Sequence, residues 1–222
     1  MRLVVFFCAI AAIAHAAAPE PLQAAIAAFR PDPPRGWSYT QTTIAEGKST
    51  VEHYDATKPE FDRWSLVQKD ARAPTADETK TYAEMRSRRS RGGTAPKLTD
   101  QIDVAAAELV SDAAEQLTYR CRLKPGDAGD KTAAFLRATI VVHKPTRTIL
   151  TLELASTAEF SPTFGVNIAT MNTLMAYTPP ADERPAFPRR VATHVRGRAF
   201  WFKSLDADMS VTYTDYVKAV KK

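Results

Sequence analysis

The sequence predicts an α+β protein dominated by a curved antiparallel β-sheet, with two or three short helices. Three observations carry this. Apolar residues alternate with polar ones at a period of two through most of the chain after Trp37. The strand-like segments come in neighbouring pairs with short connections, not in βαβ units. Helical signals are confined to brief stretches ended by proline or glycine.

Taken in order, the chain begins MRLVVFFCAIAAIAHAAAPEP. One basic residue, Arg2, precedes an apolar run from Leu3 to Ala14, and Ala14-His15-Ala16 or Ala16-Ala17-Ala18 offers a cleavage site. Residues 1–18 therefore read as a secretory signal peptide, and 19–222 as a single exported domain. No later stretch approaches the roughly 20 apolar residues of a spanning helix. Cys8 lies inside the apolar run, not behind small residues at its end, so no lipid anchor is expected. Loss of Cys8 with the leader leaves Cys121 alone, which forbids an internal disulfide. In QLTYRCRL, Cys121 alternates with Arg120 and Arg122 alongside Tyr119, the pattern of a buried strand residue.

A helix from Leu22 to Phe29 is broken by Pro31, Pro33 and Pro34. Strands Ser38 to Ile44 and Ser49 to Tyr54 join at Glu46-Gly47-Lys48, and RWSLVQK adds a third with Trp64 and Leu66 on one face. Thr75 and Glu78 stand at capping-box spacing, which starts a helix at Ala76 that should end near Arg89, with Gly92-Gly93 as its stop. Lys97 to Ile102 add a helical turn. FLRATIVVHK and RTILTLELAS form a hairpin through Lys144-Pro145-Thr146, with Leu150, Leu152 and Leu154 on one face. Val166 to Tyr177, Arg190 to Arg196, Ala199 to Leu205 and Met209 to Val217 complete a count of about ten strands. Loops 124–131 and 179–188, rich in Gly, Pro and charge, form rims.

Chemistry is sparse. There is no G-x-S-x-G, H-E-x-x-H, C-x-x-C or G-x-G-x-x-G. GDAGDKTA resembles a phosphate loop, but Asp130 separates Gly129 from Lys131 and two aspartates repel an anion. His53, His143 and His194 sit singly on strands, and the pairs Asp77/Glu78 and Asp206/Asp208 suit caps and turns. No catalytic residue, metal ligand or cofactor is expected, and the protein reads as non-enzymatic.

Two features remain as candidates. Trp64, Leu66, Tyr119, Leu150, Leu152, Met171, Met175 and Trp201 would line the concave face of the sheet and could receive an apolar ligand. RSRRSRGG places Arg86, Arg88, Arg89 and Arg91 at a helix end that could meet an anionic surface. Tyr82 is the only aromatic residue near that run and an export signal precedes the domain, so no nucleic-acid partner is expected.

The order of elements, with RWSLVQKDARAPTADETKTY running from strand into capped helix and with Phe160-Ser161-Pro162 and Thr212-Tyr213-Thr214-Asp215-Tyr216 near the end, resembles the periplasmic lipoprotein-carrier (LolA/LolB-like) half-barrel superfamily. The resemblance implies an unclosed half-barrel whose helix-covered concave face accepts lipid or a lipid-modified partner in the periplasm. It transfers no functional residue. The alternative is a structural or regulatory cell-envelope protein with a filled interior that acts through protein contacts.

Overall fold

A computed structural model gives the structure of the protein. It describes residues 19–89, 97–126, 131–200 and 202–220, with the backbone alone at 87–89. The expected leader and the Gly92-Gly93 stop lie outside these residues.

In chain order the elements are α1 (Glu20–Ala28), β1 (Trp37–Ala45), β2 (Lys48–Tyr54), β3 (Trp64–Lys69), α2 (Ala76–Arg89), α3 (Leu98–Gln101), β4 (Ile102–Asp112), β5 (Gln116–Leu123), β6 (Leu136–His143), β7 (Thr148–Ser156), β8 (Val166–Thr178), β9 (Phe187–Ala199), β10 (Lys203–Ser204) and β11 (Ala207–Lys218). All pairings are antiparallel and make one open sheet in the order β3-β2-β1-β11-β9-β8-β7-β6-β5-β4, with β10 attached to β9. The α+β class and curved antiparallel sheet follow the expectation.

Local chemistry explains most boundaries. Thr75 Oγ1 accepts the Glu78 N–H at 3.2 Å and Glu78 Oε2 accepts the Thr75 N–H at 2.9 Å, so the capping box is complete. Arg72 donates two hydrogen bonds to Glu78, each 2.8 Å. These bonds, with the Thr75 N–H and Lys69, hold the Glu78 carboxyl well below the usual carboxylate range. The turn between β1 and β2 uses positive φ at Glu46 and Gly47, as a two-residue hairpin requires.

Three strand expectations change. β4 is an additional edge strand, and its register with β5 skips at two places, which lets this long strand stay paired while most of its residues remain exposed. Ala199 to Leu205 is not one strand: Phe200 takes φ 48°, the chain turns, and only Lys203 and Ser204 pair back onto β9. In β7 a bulge intervenes, because Val141 pairs with Thr151 while Val142 pairs with Ile149. The strict alternation of Leu150 with Leu152 and Leu154 therefore fails. Ile149, 4% exposed, takes the core position and Leu150 is only half-buried.

The core packs α1 and α3 against β5, β6 and β7. Leu22, Ala138, Ile140 and Val142 have no exposed surface, and Cys121, 1% exposed, lies with them.

Candidate functional site: the inner face and its hollow

Antiparallel partners point to the same side of a sheet, so the register identifies the inner face. One row runs Tyr119, Ile140, Leu152, Met175, Val191, Val211, Thr43 and Thr50 across eight strands without interruption. Met171 shares this face four residues along β8. Leu66 and Trp64 share it as partners of Glu52 and Tyr54 on β2. Six of the eight candidate lining residues thus stand on one face. Leu150 is at the bulge, and Trp201 lies outside the described residues.

Sharing a face is not sharing a cavity. A hollow of about 710 Å³ opens where α1, the turn after it and α3 cross β5 to β8. Leu123, Ala138, Leu152, Leu154 and Met175 form its floor, and Ile26, Phe29 and Leu98 its roof. Arg30, Asp32 and Lys97 bring charge to it. Of the eight candidates only Leu152 and Met175 line it. Tyr119, 3% exposed, is packed into the core, while Trp64 serves the opposite end of the sheet.

The roof follows from short-range chemistry. Leu22, Ala25 and Ile26 lie within one turn of each other and bury against the sheet, and the prolines at 31, 33 and 34 then forbid further helix. Arg30 closes the end of α1 by donating to the carbonyls of Ala27 at 3.2 Å and Phe29 at 2.7 Å, where its charge also suits the helix dipole. Phe29 meets Tyr177 edge to face at 5.2 Å, and the Tyr177 hydroxyl donates to Met175 Sδ at 3.8 Å. Phe29, Arg30 and Lys97 were not singled out by sequence reasoning. The signal for them was the apolar helix ending on a proline cluster, which says that something is covered but not what.

At the other end of the face the interior is filled. Tyr39 stacks on Tyr54 at 5.0 Å and meets Trp64, Tyr213 and Tyr216, while Tyr216 stacks on Phe187 at 4.1 Å. Over this cluster lies α2. Arg86 forms an ion pair with Glu52, sits 4.0 Å above the Trp64 ring and donates to the Tyr82 hydroxyl at 3.0 Å. Glu52 is 7% exposed and also accepts from Gln41 Nε2 at 2.9 Å. Of the four arginines expected to meet an anionic surface, Arg86 turns its guanidinium inward to a buried carboxylate, because an unpaired buried charge is costly, while a quarter of its side chain stays exposed. The side chains of Arg88 and Arg89, and all of Arg91, lie outside the described residues.

Burial pushes the Cys121 thiol up to about 11, which keeps it protonated and inert at neutral pH. His53, His143 and His194 occupy three different strands, β2, β6 and β9. On the outer face His194 and Arg196 both contact Asp208, whose carboxyl is lowered first by Arg196, but all three are substantially exposed. Among the described residues no group of three or more His, Cys, Asp or Glu could hold a metal ion. No described helix is long and apolar enough to cross a membrane.

Comparison of the chain with family models, with curated proteins and with solved structures finds no match in any of the three.

Proposed function

We propose that the protein is a non-enzymatic periplasmic binding or carrier protein for lipid or a lipid-modified partner, held by its apolar chain in the hollow beneath α1 and α3. The observation that carries this reading is the hollow itself. Its volume, about 710 Å³, suits a ligand pocket, which typically spans about 300–1,000 Å³. Its floor of Leu, Ala and Met offers no directional bonds but much apolar area, with Met175 as an adaptable wall. Arg30 and Lys97 supply cations for a polar head group. The resemblance to the lipoprotein-carrier half-barrels points the same way, and the leader-like residues 1–18 would deliver the chain to that compartment.

The test is native mass spectrometry of protein purified from the periplasm, followed by solvent extraction. A stoichiometric lipid is expected on the wild type. Leu152→Arg, which projects a cation from the floor, should lose it while circular dichroism stays native. Leu154→Phe, which narrows the hollow without adding charge, should lower occupancy and guards against misfolding of the first variant. Equal lipid on wild type and both variants would defeat the reading.

A further inference from the structure

A second hollow, of about 1050 Å³, lies among β8, β9, the β7–β8 connection and the turn around β10. Met171 on the inner face pairs with Val195, so Arg196, one residue on, points to the outer face, as do Arg198 and its partner Asn167. The walls of this hollow are fastened. Phe160 and Ile168 exchange backbone hydrogen bonds at 3.0 and 2.8 Å, which ties the β7–β8 connection to β8. The Leu205 N–H donates to the Gly197 carbonyl at 3.0 Å and the Gly197 N–H donates to Asp206 Oδ1 at 3.3 Å, which ties the β10 turn to β9. A Cβ at Gly197 would stand 2.5 Å from the Asn167 carbonyl oxygen, so only glycine lets the two strands approach this closely. Ala169, left without a partner between Ile168 and Thr170, bulges β8 at the same place.

The lining is polar, and its charges balance. Arg196 and Arg198 stand there with Glu159 and Asp206. Asp208, which holds Arg196 through bonds of 3.1 and 2.8 Å, and Lys203, next to the lining residue Ser204, keep the count even. Yet no ion pair joins a lining cation to a lining carboxylate among the described residues. Glu159 Oε1 accepts from Asn167 Nδ2 at 2.6 Å and Asp206 Oδ1 accepts from Gly197. The second oxygen of each carboxylate, and the whole guanidinium of Arg198, take no hydrogen bond among the described residues. Phe202 adds a ring to the same lining, 87% exposed.

We infer that this outer hollow binds a neutral oligosaccharide. A net ion does not suit it, because it would meet as many like charges as opposite ones. An acyl chain does not suit it either, because it would cover the carboxylates and the guanidinium without bonding to them. A sugar answers every part of the lining. Each hydroxyl both donates and accepts, so neighbouring hydroxyls give to Glu159 and Asp206 and take from Arg198, while the C–H face of the ring covers Phe202. The volume stands at the upper end of the roughly 300–1,000 Å³ of small-molecule sites, which leaves room for more than one ring. The inference stands apart from the lipid reading, since it needs no occupant beneath α1.

Saturation-transfer NMR and calorimetric titration of the purified chain test it, with cellotriose, maltotriose and chitotriose as probes and the zwitterion trialanine as control. At least one trisaccharide should bind, and added salt should change its affinity by less than about twofold, because a neutral ligand gives screening nothing to act on. Arg198→Gln should weaken that binding about tenfold, through the loss of charged donors. Phe202→Ser should weaken it about fivefold, through the loss of the ring. Both positions are exposed, so circular dichroism should stay native. Leu154→Phe, in the hollow beneath α1, should leave saccharide binding unchanged. Absence of binding by all three trisaccharides overturns the inference, and so does binding that neither Arg198→Gln nor Phe202→Ser weakens. Binding of trialanine without any trisaccharide overturns it as well, because the balanced charges would then serve a peptide. None of these results touches the lipid content of the hollow beneath α1, which is measured separately.

Discussion

Ile140 and Val142 on β6 have no exposed surface, and the cluster that holds them is mainly aliphatic, with Tyr119, the Cys121 thiol and Phe29 as its other members. Across the same inner face, Tyr39 on β1 is almost as buried, but its neighbours are Tyr54, Trp64, Tyr213 and Tyr216, with an arginine–glutamate pair close by. The aliphatic half gains from area removed from water, about 2 kcal/mol for each large side chain, and tolerates a hollow because its aliphatic floor residues need no directional partner. The aromatic half gains from ring contacts of about 1 kcal/mol each and from satisfied polar ends, such as the Tyr216 hydroxyl donating to the Pro188 carbonyl at 2.8 Å. Large flat rings that must also reach hydrogen-bond partners leave less freedom to open. The difference teaches that one continuous face can hold both an open hollow and a locked, filled end, according to whether its side chains need specific partners.

The sharpest way to separate the halves is alkaline pH. Burial holds the hydroxyls of Tyr39, Tyr82, Tyr213 and Tyr216 above their ordinary value of 10. Unfolded tyrosines ionise near 10 and the folded ones later, so their stability is intact below pH 10 and falls as pH rises above it. At about 1 kcal/mol per group per pH unit, the four together lose up to about 4 kcal/mol per unit. The aliphatic side loses less: burial raises two tyrosines there, Tyr119 and the Tyr177 that meets Phe29, beside a thiol whose contribution begins to fall near 9 and levels off near 11. Urea denaturation between pH 9 and 11 should show the steep phase starting at about 10, with phenolate absorbance appearing only as the chain unfolds. Phenolate absorbance that rises before unfolding would mean that the rings are not locked.

Ile140→Ala comes next. Removing this fully buried side chain should cost about 4 kcal/mol in urea denaturation. A loss under about 1 kcal/mol would show that the neighbouring hollow lets the core collapse into the space, and would blur the line between core and hollow.

Arg86→Ala should cost about 2 kcal/mol, because it leaves Glu52 without its cation and Trp64 without the guanidinium above it. Adding Glu52→Gln should recover part of that loss, since the orphaned charge is then gone. Strictly additive losses would remove Arg86 as the link between α2 and the aromatic half.

How much of this was legible follows from the range of each signal. Thr75 and Glu78 are three residues apart, so their capping box and the start of α2 could be read directly. The β1–β2 and β6–β7 hairpins close over a few residues, and alternation alone placed Trp64, Leu66, Tyr119, Leu152, Met171 and Met175 on one side. Those are properties of chain geometry within a turn or a strand. Only the tertiary structure decided that β11 sits between β1 and β9, that a bulge in β7 exchanges Leu150 for Ile149, and that Glu52 draws Arg86 inward from 34 positions away. It also decided that α1 covers Leu152 and Met175 but not Met171. Period-two patterning states which side of a strand is apolar, and it carries no information about what distant element will lie on that side. That choice is made by side-chain packing and by pairing of buried charge, both of which depend on residues far apart in the chain.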